Sequence, residues 1–404
     1  MASGSVVANA SFDALPEEAL RVIMLALPVD ARARAACVRR SWRAFLADPS
    51  LWQVLDLTPA GGVVAERVTE NLVRGAAKRA AGHLRSFSFN RVPQLSSHQL
   101  FEEVIESDGA ELHEVNTDLG ISVDILAKIF AVAPRLHVLN ATVGGNCTEL
   151  RTVLRNEPPY GPLRVGTLHI SLADGAGDVS ALAAAVASHE SLNGLQLWQS
   201  NCARRVNVLL DAATERCVAE LQVVNCVLDA DSVPALARLL LRGSLTKLDV
   251  SCDDFPGGPE ASTLTHLELL WAAVRSCRTL THLELHMNVP NGANRRYHSE
   301  LLDAAAALPA LSELKLSFSE FEDKAAAGRA LGAFLAADPP SLRTLRLQCC
   351  GLGDEGLAPL LDGLAANTHL RELDCEMNYP SAAFERDRLE PALAALAARA
   401  QLDA

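Results

Sequence analysis

Aromatic side chains are scarce in this chain: Phe, Tyr and Trp together make up 4% of 404 residues. That excludes one large irregular core built on ring packing. Leu and Ala supply most of a hydrophobic fraction of 49%, a composition suited to many similar helices and short strands. Long apolar runs are missing too. None approaches the ~20 residues that span a bilayer, and the opening MASGSVVANASF has neither the charged start nor the apolar centre of a secretory signal. No membrane partner is expected, and the expected location is cytoplasmic or nuclear. The ten cysteines are scattered without a CxxC pair, and read as reduced, mostly buried thiols rather than a disulfide framework. Clustered basic charge is also absent. Net charge is −13, and beyond residue 52 there are 30 basic against 44 acidic residues. Such a surface argues against phosphate-backbone binding, so no nucleic-acid partner is expected. A phosphate loop, a G-x-S-x-G elbow and an H-E-x-x-H helix are all lacking. Neither catalysis nor a cofactor is expected.

What is present begins at Leu15. The stretch LPEEALRVIMLALPVDARARAACVRRSWRAFLADPSLW reads as three short helices with too little apolar mass to stand alone. Pro16 suits a helix start, and Glu17 and Glu18 fall in the turn that favours negative charge. Leu20, Ile23 and Leu27 recur at helical spacing. Pro28 stops that helix, and Asp30 is placed to cap the next. Trp42, Phe45 and Leu46 form a third stripe that ends before Pro49, with Leu51 and Trp52 as a closing apolar pair.

These residues resemble the F-box family. Its pattern of Leu-Pro and an acidic pair is matched by Leu15, Pro16, Glu17 and Glu18, its spaced aliphatics by Leu20, Ile23 and Leu27. A second Leu-Pro is matched by Leu27 and Pro28, and the closing Val, Trp and Leu-Trp by Val38, Trp42, Leu51 and Trp52. Arg39 stands where cysteine is common and Met24 where an aromatic is common; neither removes the apolar stripe. The resemblance implies binding to a Skp-type adaptor and, through it, to a cullin ubiquitin ligase. Leu15, Pro16, Leu20, Ile23, Leu27, Pro28 and Val38 are the expected adaptor contacts. Trp42, Leu51 and Trp52 are expected to join this module to the rest of the chain.

Beyond it the pattern L-x-x-L-x-L recurs. It opens at Trp52, Leu55, Leu57, and then at Leu84, Leu112, Leu136, Val165, Leu192, Val218, Leu245, Leu280, Leu311, Leu342 and Leu370. Successive starts after Leu84 lie 24 to 35 residues apart and centre near 28. That signature is a leucine-rich repeat in the long form, pairing each strand with a helix, and stability then comes from stacking. Leu264, Leu267 and Leu269 also fit the pattern, but read as a helix running into Trp271 and Val274. The ninth position carries polar or thiol side chains in the later repeats (Cys226, Asp253, Asn288, Ser319, Cys350, Asn378). In the earlier ones it carries Val92, Gly120, Gly144 and Ala173, which cannot bond the turning backbone. CGLGDEGLAPLLDGLAANTHLRELD resembles the ribonuclease-inhibitor-like repeat subclass in fold. Residues 389–400 look like a closing helix. Two Gly- and Pro-containing spacers, DDFPGGPEAS from Asp253 and NVPNGANRRYHSE from Asn288, read as loops.

The expected fold is therefore α/β: a disordered N-terminus over 1–12, a three-helix F-box over 13–52, and a curved leucine-rich-repeat solenoid over 53–404. The solenoid places a parallel β-sheet on the concave face and helices on the convex face. Alternate strand residues face the concave side. Positions three, five and seven of the eleven repeats from Leu84 hold nine acids and three bases (Lys247, Lys315, Arg346). Glu284 and the row Glu372, Asp374 and Glu376 make that face a candidate target-binding surface for a protein with a basic segment, with steering by charge. Trp198 is the one large aromatic there, either an anchor for a target or a ring folded over a neighbouring repeat. His282, Glu284 and His286 alternate along one strand but supply no fourth ligand, so no metal is expected. The function implied is substrate recognition in a Skp–cullin–F-box ubiquitin ligase, without catalysis by this chain. The alternative is a repeat scaffold or inhibitor with no ubiquitin role. A third class, a small-molecule sensor holding an inositol phosphate, needs a basic cluster that three bases among nine acids do not make.

Overall fold

The computed structural model describes residues 15–92, 95–155, 164–172, 178–252, 260–287, 294–317, 321 and 323–402. The expected disordered segment 1–12 lies outside them, as do the ninth-position residues Ala173, Asp253, Asn288 and Ser319. The chain forms two compact units, residues 1–143 with 156–165, and 144–155 with 166–404.

Unit one opens with three helices, α1 (Glu17–Ala26), α2 (Val29–Val38) and α3 (Arg40–Phe45). Both Leu-Pro steps act as helix boundaries. Pro16 and Pro28 sit one residue before their helices, at φ −55° and −53° with extended ψ, where a missing N–H costs nothing. Asp30 does not cap α2, because Pro28 already occupies the cap position. Asp30 is instead buried and ion-paired to Arg34 (2.9 Å) and to Arg67 (3.6 Å). Three parallel repeats come next: β1 (Val54–Asp56), α4 (Glu70–Ala80), β2 (Ser86–Ser88), α5 (Ser97–Asp108), β3 (Glu114–Ser122), α6 (Val123–Val132), and then β4 (Val138–Gly145). Leu55, Phe87 and Val115 are direct partners across β1, β2 and β3.

Unit two continues the alternation with α7 (Cys147–Leu154), β5 (Arg164–Ser171), α8 (Val179–Ser188), β6 (Gly194–Trp198), α9 (Ala203–Arg216) and β7 (Glu220–Val224). Next come α10 (Ser232–Leu241), β8 (Lys247–Cys252), α11 (Glu260–Ser276), β9 (His282–Met287) and α12 (Asn294–Ala306). The unit ends with β10 (Glu313–Lys315), α13 (Lys324–Ala336), β11 (Thr344–Arg346), α14 (Gly353–Ala366), β12 (Glu372–Asp374), α15 (Ala382–Phe384) and α16 (Glu390–Leu402). From β5 to β12 the strands lie in chain order. Leu195, Leu221, Leu248, Leu283, Leu314, Leu345 and Leu373 pair in one register row. Each such leucine is at most 7% exposed. Burial alternates along β7 as expected of a period-two strand with one covered face. Leu221 and Val223 are buried, while Glu220, Gln222 and Val224 are not.

Leu267 sits in α11, which runs on through buried Trp271 and Val274 as the helical reading expected. The two loops are shorter than the sequence implied. The spacer from Asp253 gives way to helix at Glu260, and the one from Asn288 at Asn294; the Gly- and Pro-rich halves of both lie outside the described residues. Between α13 and α14 the helices meet backbone to backbone. A methyl group at Gly332 would overlap the Pro359 carbonyl, and one at Gly363 would overlap the Gly332 carbonyl. Only hydrogen fits there, which is why four glycines interrupt two otherwise good helices.

Candidate functional site

The helical module presents one candidate surface. Leu15 and Pro16 are exposed and Val38 is 63% exposed, while Leu20, Ile23, Leu27 and Pro28 are half-buried. Met24 of α1 is fully buried, at the position where an aromatic is common in the family pattern. Sequence reasoning missed Val22 and Leu25, which are 68% and 51% exposed. Their i, i+3 spacing on the far side of α1 from Met24 was the available signal. Two aliphatics so exposed on one turn of a helix make a face that shared burial would stabilise.

The junction is built around Trp52. It is fully buried, as is Leu51, whereas Trp42 is half-buried. The Trp52 indole N–H donates to the Leu46 carbonyl at 2.8 Å. Two guanidinium groups approach its ring, Arg32 at 5.5 Å and Arg79 of α4 at 5.2 Å from the centroid. Arg32 also donates to the Leu27 carbonyl at 3.1 Å and to the Leu51 carbonyl. One buried cation thus ties the end of α1, the Leu-Trp pair and the first repeat together. Burial lowers its pKa from the usual arginine value, since desolvation disfavours the charged form. Pro28 faces the same joint, since a Cβ added at Gly62 would lie 3.1 Å from its ring. Neither Arg32 nor Arg79 was singled out in the sequence.

The second candidate surface is the open face of β7–β12. There the three bases of the face, Lys247, Lys315 and Arg346, line one open cavity of about 450 Å³ together with Asp249, His282, Glu284 and Glu313. Lys315 bonds Glu284 at 2.6 Å. Arg346 reaches Glu313 (2.9 Å), Glu372 (3.2 Å) and Asp374 (3.7 Å). Burial pushes the Glu284 carboxyl above its usual range, with Asp249 and Glu313 adding to the effect and Lys315 opposing it. Asp249 is 7% exposed and accepts from Gln222 at 2.6 Å. Glu372 and Glu376 are exposed, Asp374 less so. The field of that end is felt by buried Cys375, whose thiol is pushed up to about 11 by burial and then by Asp374 and Glu376.

Trp198 is half-buried and stacks on His169 of the neighbouring strand, ring centroids 5.3 Å apart and 16° from parallel. It is folded over its neighbour, and burial lowers the His169 pKa. His282 stands 3.5 Å from Glu313 and beside the Thr281 hydroxyl at 2.7 Å. Among the described residues no group of three His, Cys, Asp or Glu side chains is arranged to hold a metal ion. Among them, too, no helix is long and apolar enough to cross a membrane.

Residues 12–58 match the F-box-like family, and residues 338–361 match the Leucine Rich repeat family. The chain thus carries an F-box-like segment near its start and a leucine-rich repeat near its end. No curated protein matches it. Among solved structures it is similar to a chain of the crystal structure of the Rad7 and Elc1 complex in yeast. The identity is 16% over 78% of this chain and 90% of that one, with a TM-score of 0.37. At that score the likeness carries no argument about this chain.

Proposed function

We propose that this chain is the substrate-recognition subunit of a Skp–cullin–F-box ubiquitin ligase, without catalytic chemistry of its own. Residues 13–52 dock a Skp-type adaptor, and through it a cullin. Residues 53–404 hold a protein target on the open face of the strands, while a separate conjugating enzyme transfers ubiquitin to a target lysine. Such a complex works in cytoplasm or nucleus. The observation that carries this reading is the match of residues 12–58 to the F-box-like family. The exposed aliphatics Leu15, Val22, Leu25 and Val38 of the same module support it, since they lack a covering element among the described residues.

The test is capture of the full chain by a purified Skp adaptor. Wild-type protein is expected to be retained. A Leu15→Ala, Pro16→Ala double variant and a Val22→Asp, Leu25→Asp double variant are both expected to lose at least about tenfold in affinity, because they remove buried apolar contact or place charge within it. Circular dichroism on each variant checks that it is folded. Folded wild-type protein that is not retained would sink the ligase reading and leave a repeat scaffold with a helical cap.

A further inference from the structure

We infer that the open face of β8–β12 takes a target segment of dipolar chemistry: one acidic side chain and, about six residues from it, one or more basic ones. This rests on the target-recognition reading above and deepens it. The face does not carry uniform negative charge. All three of its bases converge on one cavity, but they are not equivalent there. Lys315 is held by Glu284, and Arg346 by Glu313, Glu372 and Asp374. Lys247 is exposed and makes no ion pair among the described residues, not even with Glu220 opposite it. Its partner on the other side is His282, already 3.5 Å from Glu313, so Lys247 is the cation that the β8 end of the cavity offers to an incoming carboxylate.

At the β12 end the balance reverses. Glu372 and Asp374 share Arg346 with Glu313, and Glu376 makes no ion pair among the described residues. Two exposed apolar side chains adjoin them, Met377 at 59% and Tyr379 at 75%. A basic side chain with an aliphatic or aromatic neighbour suits that end, since tyrosine and methionine are favoured interface residues. The distance between the two ends comes from the register. Lys247, His282, Glu313, Thr344 and Glu372 are successive Cα partners across β8 to β12. Four intervals of about 4.8 Å make about 19 Å, and an extended segment covers that in about six residues at about 3.3 Å each. Charges at the two ends fix which way the segment lies.

The experiment is selection of a displayed library of random peptides, each about 14 residues long, on the full chain alone. The tightest peptide is then measured by fluorescence anisotropy. The expected winners carry an acid and a base about six residues apart, in either order. Lys247→Glu is expected to weaken the best of them at least about tenfold, with Lys247→Arg restoring it. A Glu372→Lys, Glu376→Lys double variant is expected to do the same from the other end. Winners with no fixed spacing, winners lacking an acid, an empty selection, or affinity indifferent to Lys247→Glu would each overturn the inference. Adaptor capture on the same preparation reports separately on the ligase reading, so the two can fail independently.

Discussion

The early and the late repeats leave their strands in different ways. In β3 and β4 the strand runs nine and eight residues, straight through the ninth repeat position, which is Gly120 or Gly144. The chain then passes at once into a helix whose cap supplies the missing bonds. Ser122 accepts from the Ile125 N–H, and Asn146 forms a capping box with Glu149. In β11 and β12 the strand is three residues long, and a ninth-position side chain takes over. The Cys350 thiol donates to the Leu316 carbonyl at 3.1 Å, and the Asn378 amide to the Leu347 carbonyl at 2.7 Å, each on the preceding repeat. Asn378 also accepts from the Leu352 N–H. Both solutions answer one demand, that buried backbone groups be paired where a ladder ends. The β3 and β4 repeats meet it locally, by cap and continued strand. The late ones meet it between neighbours, which couples each repeat to the one before.

That difference predicts an order of sensitivity. The largest effect is expected at the α13–α14 contact, where two late repeats meet backbone to backbone at their glycines. Gly332→Val or Gly363→Val should cost at least about 3 kcal/mol in urea denaturation, since neither backbone can yield to a methyl group. Gly120→Ala, where a Cβ would meet nothing within 4 Å, should stay within about 1 kcal/mol. Equal losses at both sites would break the contrast. Next comes Asn378→Ala, which leaves the Leu347 carbonyl and the Leu352 N–H without this partner; a loss of about 2 kcal/mol is expected. Asn146→Ala removes only a cap and should cost about 1 kcal/mol. A larger loss at Asn146 than at Asn378 would invert the argument.

The smallest effect is one of pH. Asp338 lies on the connection before β11, at φ +53°. Burial works to raise its pKa, but bonds from the Thr368 hydroxyl and N–H and from His369 prevail and hold it down to about 2. A depressed carboxyl contributes stability above its unfolded pKa of about 4 and loses it as pH falls towards about 2. Melting temperatures of wild type and Asp338→Asn should therefore differ at neutral pH and converge near pH 2. A constant gap across that range would remove Asp338 from the inter-repeat clasp.

Much of this fold was legible in the residues alone. The leucine of every repeat that was aligned by pattern is the one that pairs across the sheet, from Leu195 through to Leu373, because a strand with one covered face must place its apolar side chains at period two. The Leu-Pro boundaries of the helical module were equally local. The ninth-position bonds of Cys226, Cys350 and Asn378 came from residue type and spacing. What lay beyond reach were relations among residues far apart in the chain with no common pattern. Val22 and Leu25 face outward because Met24 packs inward, which α1 by itself does not dictate. Arg32 and Arg79 become structural only when folding brings both to the Trp52 ring. Trp198 lies on His169 because that ring occupies the adjacent strand. Lys247, Lys315 and Arg346, three bases well separated in the sequence, meet in one cavity only once the strands are stacked in register. Local sequence determined the period, the register and the helix ends, since backbone hydrogen bonding and apolar burial act over a few residues. Tertiary stacking decided which side chains are free, which are paired and which charges share a cavity, since those depend on neighbours that the chain brings together only by folding.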